Sequence, residues 1–168
     1  MINRFLDLLA LATASIPSHY FQLPVAGEKE PIYRERVYTY ELYHQLRSLL
    51  EADEDLEEYA LSGEVNKMGH AIIRPCAPDF VFHIPGYMNS NLVVMEVKPA
   101  NAGADGIKKD REILEYFVSN EVRYRLGVEL IYGNEEVDMA RFREAFAGAP
   151  GRIQLWCQPR PGEPARRI

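Results

Sequence analysis

The chain has 168 residues, 47% hydrophobic and 26% charged, with a net charge of −6 and two cysteines. That length suits one domain spanning 1–168, the apolar share is enough for a continuous core, and neither disorder nor a bilayer-crossing segment fits. The acid excess argues against strong non-specific DNA binding, which rests on surplus Lys and Arg, but leaves room for a nuclease whose metal-holding carboxylates are themselves acidic.

Met1–Ala14 carries Phe5, Leu6, Leu8, Leu9 and Leu11. A lone Arg4 followed by Asp7 makes a poor signal peptide, so residues 1–15 read as a peripheral amphipathic helix packed on the domain, with a partner-binding helix as the alternative. Pro17, Pro24, Gly27 and Pro31 mark a loop. Arg34–Leu50 is helical, with Val37, Tyr40, Leu46, Leu49 and Leu50 near helical spacing. The acidic block of Glu51, Asp53, Glu54, Asp55, Glu57 and Glu58 ends it and reads as a solvated surface. Tyr59–Val65 is a first strand, followed by a turn at Asn66–Gly69, and Ala71–Ile73 either continues a hairpin or is irregular. Asp79–Ile84 alternates and stops at Pro85-Gly86, and the Val-rich Leu92–Lys98 stops at Pro99. A helix over Ala104–Val118 takes Asp105 as its N-cap. Leu126–Tyr132 is a strand, Glu135–Phe146 a helix, Arg152–Cys157 a last strand, and residues 158–168 a loose, Pro- and Arg-rich tail. This order predicts an α/β fold, a mixed central sheet flanked by helices. Cys76 and Cys157 match no CxxC pattern and read as buried thiols of a cytoplasmic protein.

The chemistry concentrates in Pro78-Asp79-Phe80-Val81-Phe82-His83 and Val94-Met95-Glu96-Val97-Lys98. Alternation puts Asp79 and Val81 on one face with Phe80, Phe82 and Ile84 on the other; Val94, Glu96 and Lys98 likewise oppose Val93, Met95 and Val97. The wholly apolar face must meet a core. The other carries an acid, an acid and an amine on what read as neighbouring strands. Leu92–Lys98 reads as a central strand because five of its seven residues are apolar. Charges there need a metal site, a buried Lys–carboxylate pair or an exposed strand end.

Pro78-Asp79 followed, after a hairpin, by Glu96-Val97-Lys98 resembles the PD-(D/E)XK motif of restriction-endonuclease-like nucleases. The resemblance covers roughly residues 34–132. It implies a restriction-endonuclease-like core and a Mg²⁺-dependent nuclease acting on DNA, with Mn²⁺ able to substitute. Asp79 and Glu96 would bind the metal, aided by the Val97 carbonyl, and Lys98 would orient the attacking water or stabilise developing charge. It also implies an acid from the first core helix, for which Glu41 is preferred over Glu35. Glu64 is a further candidate acid, Lys67 reads as solvated, and His44 and His83 read as rim or structural groups. Lys108, Lys109 and Arg111 open the following helix and are candidate contacts to a nucleic-acid backbone, or equally an exposed helix face with charge pairs such as Lys108–Glu112; Arg123, Tyr124 and Arg125 could likewise touch phosphate and base, and fit a turn rim equally well. Cutting both strands would suit a homodimer. The competing expectation is a non-catalytic protein of the same fold that serves as a protein-interaction or regulatory module.

Overall fold

The computed structural model describes residues 1–64, 76–133 and 139–168. Its centre is a six-stranded open sheet in the order β1 (Ala60–Gly63), β2 (Phe80–His83), β3 (Asn91–Pro99), β4 (Leu126–Tyr132), β5 (Ile153–Gln158) and β6 (Arg166–Arg167). The β1–β2, β2–β3 and β5–β6 pairs are antiparallel, while β3–β4 and β4–β5 are parallel. The mixed α/β architecture expected from the element order is therefore present. The expected turn at 66–69, the segment 71–73, Lys67 and residues 135–138 of the expected third helix lie outside the described residues.

Helices cover both faces because both faces of the central strands are apolar. Phe80, Phe82, Val93, Met95, Val97, Val128 and Leu130 point into one core. That core is closed by α1 (Ile2–Ala14) through Phe5 and Leu9, and by α3 (Glu35–Glu51) through Tyr38, Leu42 and Leu46; the short α2 (Ser18–Phe21) adds Phe21. Val81, Val94 and Ile131 point the other way, toward α4 (Ala104–Phe117) and α5 (Ala140–Ala145), which contribute Ile107, Leu114, Phe117 and Phe142. A parallel pair needs a long crossover connection, and α4 supplies it between β3 and β4. Strand β3 is central, with residues 91–97 all buried.

Several boundaries depart from expectation for identifiable reasons. Asp105 does not cap α4: Gly103 holds the N-cap position and no side chain bonds there. Strand β1 stops before Glu64, whose left-handed backbone (φ 44°) turns the chain out of the ladder. Asp53, within the acidic block, is buried and accepts from Arg4 Nε at 2.6 Å. Cys76 and Cys157 form no disulfide and are only half-buried.

The tail is packed, not loose. Gln158 is fully buried; it accepts from Tyr38 Oη at 2.5 Å and donates to the carbonyls of Thr13 (2.7 Å), Glu163 (3.1 Å) and Arg160 (3.3 Å). The Ala165 N–H donates to Thr13 Oγ1 at 2.8 Å, and Arg166-Arg167 extend the sheet edge. One amide thus joins α1, α3 and the C-terminal turn. Gln158→Leu strands the Tyr38 phenol and the Thr13 carbonyl in the interior, and unfolding in urea should show a loss of about 2–3 kcal/mol.

Candidate functional site

Glu96 on β3 and Glu129 on β4 are paired in register on adjacent central strands, beneath α4. Both carboxylates are buried, at 4% and 0% exposure. Two residues further along β3, Lys98 Nζ lies 2.9 Å from Glu35 Oε2 at the start of α3. It lies 3.1 Å from Asp110 Oδ2 on α4, within ion-pair range but off the hydrogen-bond direction. Lys98 reaches both helices because β3 ends there, between the two covering layers.

Asp79 stands just before β2, beside the end of β3. Its Oδ2 accepts from the Val97 N–H at 2.8 Å. The side chain thus takes over the ladder bond that β2 would have supplied had it started two residues earlier, at Pro78. A residue in extended backbone directs its N–H and C=O to the same neighbour, so the Val97 carbonyl is aimed at the Asp79 edge as well.

Five acids surround one ammonium, and the ionisation follows. Burial pushes the Glu96 carboxyl well up, reinforced by Asp79, Asp110 and Glu129. Burial likewise pushes Glu129 well up, with Asp110 adding to it. Asp110 rises to about 6 from burial, against the pull of Lys98. Asp79 rises from burial, opposed by the Val97 N–H. Burial opposes the charge on Lys98, but its carboxylate partners Glu35 and Asp110 outweigh that and hold the ammonium above its ordinary value. Lys98 is thus a fixed cation, unsuited to taking up a proton.

The oxygens of this cluster are the hard donors that Mg²⁺ or Mn²⁺ takes, and Glu96 Oε1 and both Glu129 oxygens have no hydrogen-bond partner. In kind, the donors fit. Among the described residues, however, no group of three or more His, Cys, Asp or Glu side chains is disposed to hold an ion as it stands. Gathering one would require side chains of the cluster to turn.

The structure brings Asp79, Glu96 and Lys98 to one corner of the sheet. Of the two helix acids, it is Glu35 that meets Lys98. Glu41 lies about 120° around α3 from Glu35 and accepts from Gln45 Nε2 at 2.7 Å. Glu64 is exposed and 3.5 Å from Arg36, while its N–H donates to the Asp79 carbonyl. His44 is exposed and His83 half-buried. Lys108 and Lys109 are exposed on α4, but Arg111 is not available as a backbone contact. Its guanidinium pairs with Glu115 at 2.8 Å and donates to the carbonyls of Ala145 and Ala147, tying α4 to the end of α5. Arg123 and Arg125 are exposed and Tyr124 is buried.

Asp110 and Glu129 are the acids that sequence reasoning passed over, and both left a signal. Glu129 interrupts the apolar run Leu126-Gly127-Val128-Glu129-Leu130-Ile131-Tyr132, the same anomaly that singled out Glu96. Asp110 occupies the stripe Ile107, Asp110, Leu114, Phe117 on the buried side of α4.

Glu96 and Glu129 also make stability depend on pH. Both folded-state values lie above the ordinary 4.5, so the folded chain holds protons that the unfolded chain releases. Their contribution is fully present below about pH 4.5 and is lost as pH rises toward the folded values. Glu129→Gln removes one of these groups. Chemical denaturation between about pH 5 and 8 should therefore show a shallower decline, with the variant gaining roughly 1–2 kcal/mol on the wild type at the upper end.

No family model, curated protein or solved structure matches this chain. Among the described residues, no helix is long and apolar enough to cross a membrane. Fold and site together define a mixed α/β protein with a buried carboxylate–lysine cluster at the point where β2 leaves β3.

Proposed function

We propose that this chain is a divalent-metal-dependent phosphodiester hydrolase, a nuclease of the PD-(D/E)XK kind acting on DNA. The observation that carries this reading is the corner itself: Asp79 on the Val97 N–H, Glu96 buried beside it, and Lys98 two residues on, held by Glu35. The element order around it supports the same core, with a helix, an antiparallel β1–β2–β3 meander, a crossover helix and a parallel strand. The charge balance supports it too. Five acids share one ammonium in a buried setting, and a bound dication would relieve that excess.

In this reading Asp79, Glu96 and the Val97 carbonyl hold Mg²⁺, with Mn²⁺ as a substitute. When bound, the metal lowers the pKa of a water and neutralises charge on the scissile phosphate. Lys98 stays protonated, orients the attacking water and stabilises the negative charge that builds on the phosphoryl oxygens. Glu35 keeps the ammonium aimed, and its partly exposed carboxylate can yield that place to a phosphate. Lys108 and Lys109 are the remaining candidates for contact with the DNA backbone.

Nicking of supercoiled plasmid and cutting of end-labelled oligonucleotides test the proposal. Cleavage should require Mg²⁺ or Mn²⁺, stop with EDTA, and be lost in Asp79→Asn while the circular dichroism spectrum is kept. A well-folded wild type that is inert with both metals counts against it. The second reading is a non-catalytic module of the same fold that binds a protein partner. It draws on Lys98 being already neutralised by two carboxylates, and on Arg111 being spent on backbone carbonyls. It expects no metal effect on either stability or binding.

A further inference from the structure

We infer that the trough between α3 and β1 carries a single strand of DNA toward Asp79. This rests on the nuclease reading and adds the form of its substrate. Helix α3 presents Arg36, Tyr40, Tyr43 and Arg47 at i, i+4, i+7 and i+11, one stripe of a helix surface. The stripe is outward-facing: Arg36 and Arg47 are exposed and Tyr40, 59% exposed, is one of few large apolar side chains left in solvent. Its Tyr40, Tyr43 and Arg47 line two hollows of about 230 and 430 Å³, with Tyr43 in the wall of both. The first contains Asp79 in its wall, and the second reaches Tyr59 and the outer edge of β1.

The aromatic groups are held as platforms. Tyr43 stacks on Phe80 at 5.9 Å between ring centres and its hydroxyl donates to the Leu61 carbonyl; Tyr59 lies against Phe82 at 5.3 Å. Tyr40 is the exposed ring one turn before Tyr43. Aromatic rings interleaved with arginines are what an unpaired strand uses, because every base offers a face to stack and every link a phosphate. From Arg36 to Arg47 the helix runs about 16 Å, room for several bases at the roughly 3.4 Å stacking repeat. The arginines are paired with Glu64 and Glu51 across exposed surface. Such pairs are weak and can be exchanged for phosphate at small cost.

The acids of the trough select against a duplex. Glu51, Glu57 and Glu64 line it, and double-stranded DNA carries twice the charge per unit length of one strand. A duplex also hides the base faces that Tyr40 and Tyr43 would stack on. The trough therefore fits a frayed end or an unpaired segment.

Fluorescence anisotropy with a labelled 15-nucleotide thymidine oligomer, in EDTA so that nothing is cut, tests this on the full chain. The oligomer should bind at least several-fold tighter than a 15-base-pair duplex and tighter than the matching uridine RNA. Tyr40→Ala should weaken it about tenfold. Arg36→Gln with Arg47→Gln should reduce the slope of log affinity against log salt by about one to two. Equal or tighter binding of duplex or RNA, or an unchanged affinity in Tyr40→Ala, overturns the assignment. Strand binding without metal-dependent cleavage would sink the nuclease reading and leave the trough standing; cleavage with Tyr40→Ala binding normally does the reverse.

Discussion

Glu96→Gln should abolish Mg²⁺-dependent cleavage, by about a thousandfold or more, while the protein becomes no less stable. The two effects part because the same carboxylate is a metal ligand in the proposed site and a burden in the metal-free fold. Burial and three neighbouring acids press the Glu96 carboxyl toward its neutral form, and glutamine has nearly the shape of that form. Melting curves with and without MgCl₂ provide the check. The wild type should gain thermal stability with rising Mg²⁺, as any ligand of the folded state confers, and Glu96→Gln should melt at or above the metal-free wild type and gain nothing further. A variant that unfolds early, or that still responds to Mg²⁺ like the wild type, would refute the assignment of Glu96 as a ligand.

Lys98→Met should cost about 3–5 kcal/mol, a large share of the roughly 5–15 kcal/mol that holds a domain together. Methionine fills the space of the aliphatic stem but leaves Asp110, almost wholly buried, with no cation. Glu35 loses the same partner, but at 39% side-chain exposure it regains water, so Asp110 bears most of the loss. Adding Asp110→Asn should therefore restore the greater part of the stability, and adding Glu35→Gln much less. Urea unfolding of the single and double variants, compared as a thermodynamic cycle, measures this. A loss below about 1 kcal/mol in Lys98→Met would mean that water reaches Asp110 in solution.

Much of the architecture was legible because it follows from local patterns. Leu126–Tyr132 appears as a strand with the expected bounds, Ala104–Phe117 departs from expectation by one residue at its end, and Glu35–Glu51 by one residue at each end. Continuous apolar runs mark strands buried on both faces, and an apolar stripe marks a covering helix. The charged triplet Asp79, Glu96 and Lys98 stood out because two of its members interrupt a run that is otherwise core. What the sequence did not show were contacts with a partner distant in the chain. The tail composition suggested a loose end, but Gln158 finds Tyr38 and Thr13, 120 and 145 residues away. Arg111 was open between a phosphate contact and a charge-paired helix face, and its acceptor 34 residues away, the Ala145 carbonyl, is invisible to spacing. Glu41 looked better than Glu35 because it sits among aromatic residues, yet rotation around α3 turns it away from Lys98.

Taken alone, the order of residues determined the main strands and helices, which faces are apolar, and that Glu96 and Lys98 interrupt an apolar run. Those properties are set by neighbours within a few positions, through side-chain alternation and helical pitch. Only the tertiary structure decided which acids gather at this corner, because Glu35 and Asp110 reach Lys98 from a preceding and a following helix and Glu129 stands opposite Glu96 on the adjoining strand. Electrostatic energy depends on separation in space and on exclusion of water, and neither is written in the distance along the chain.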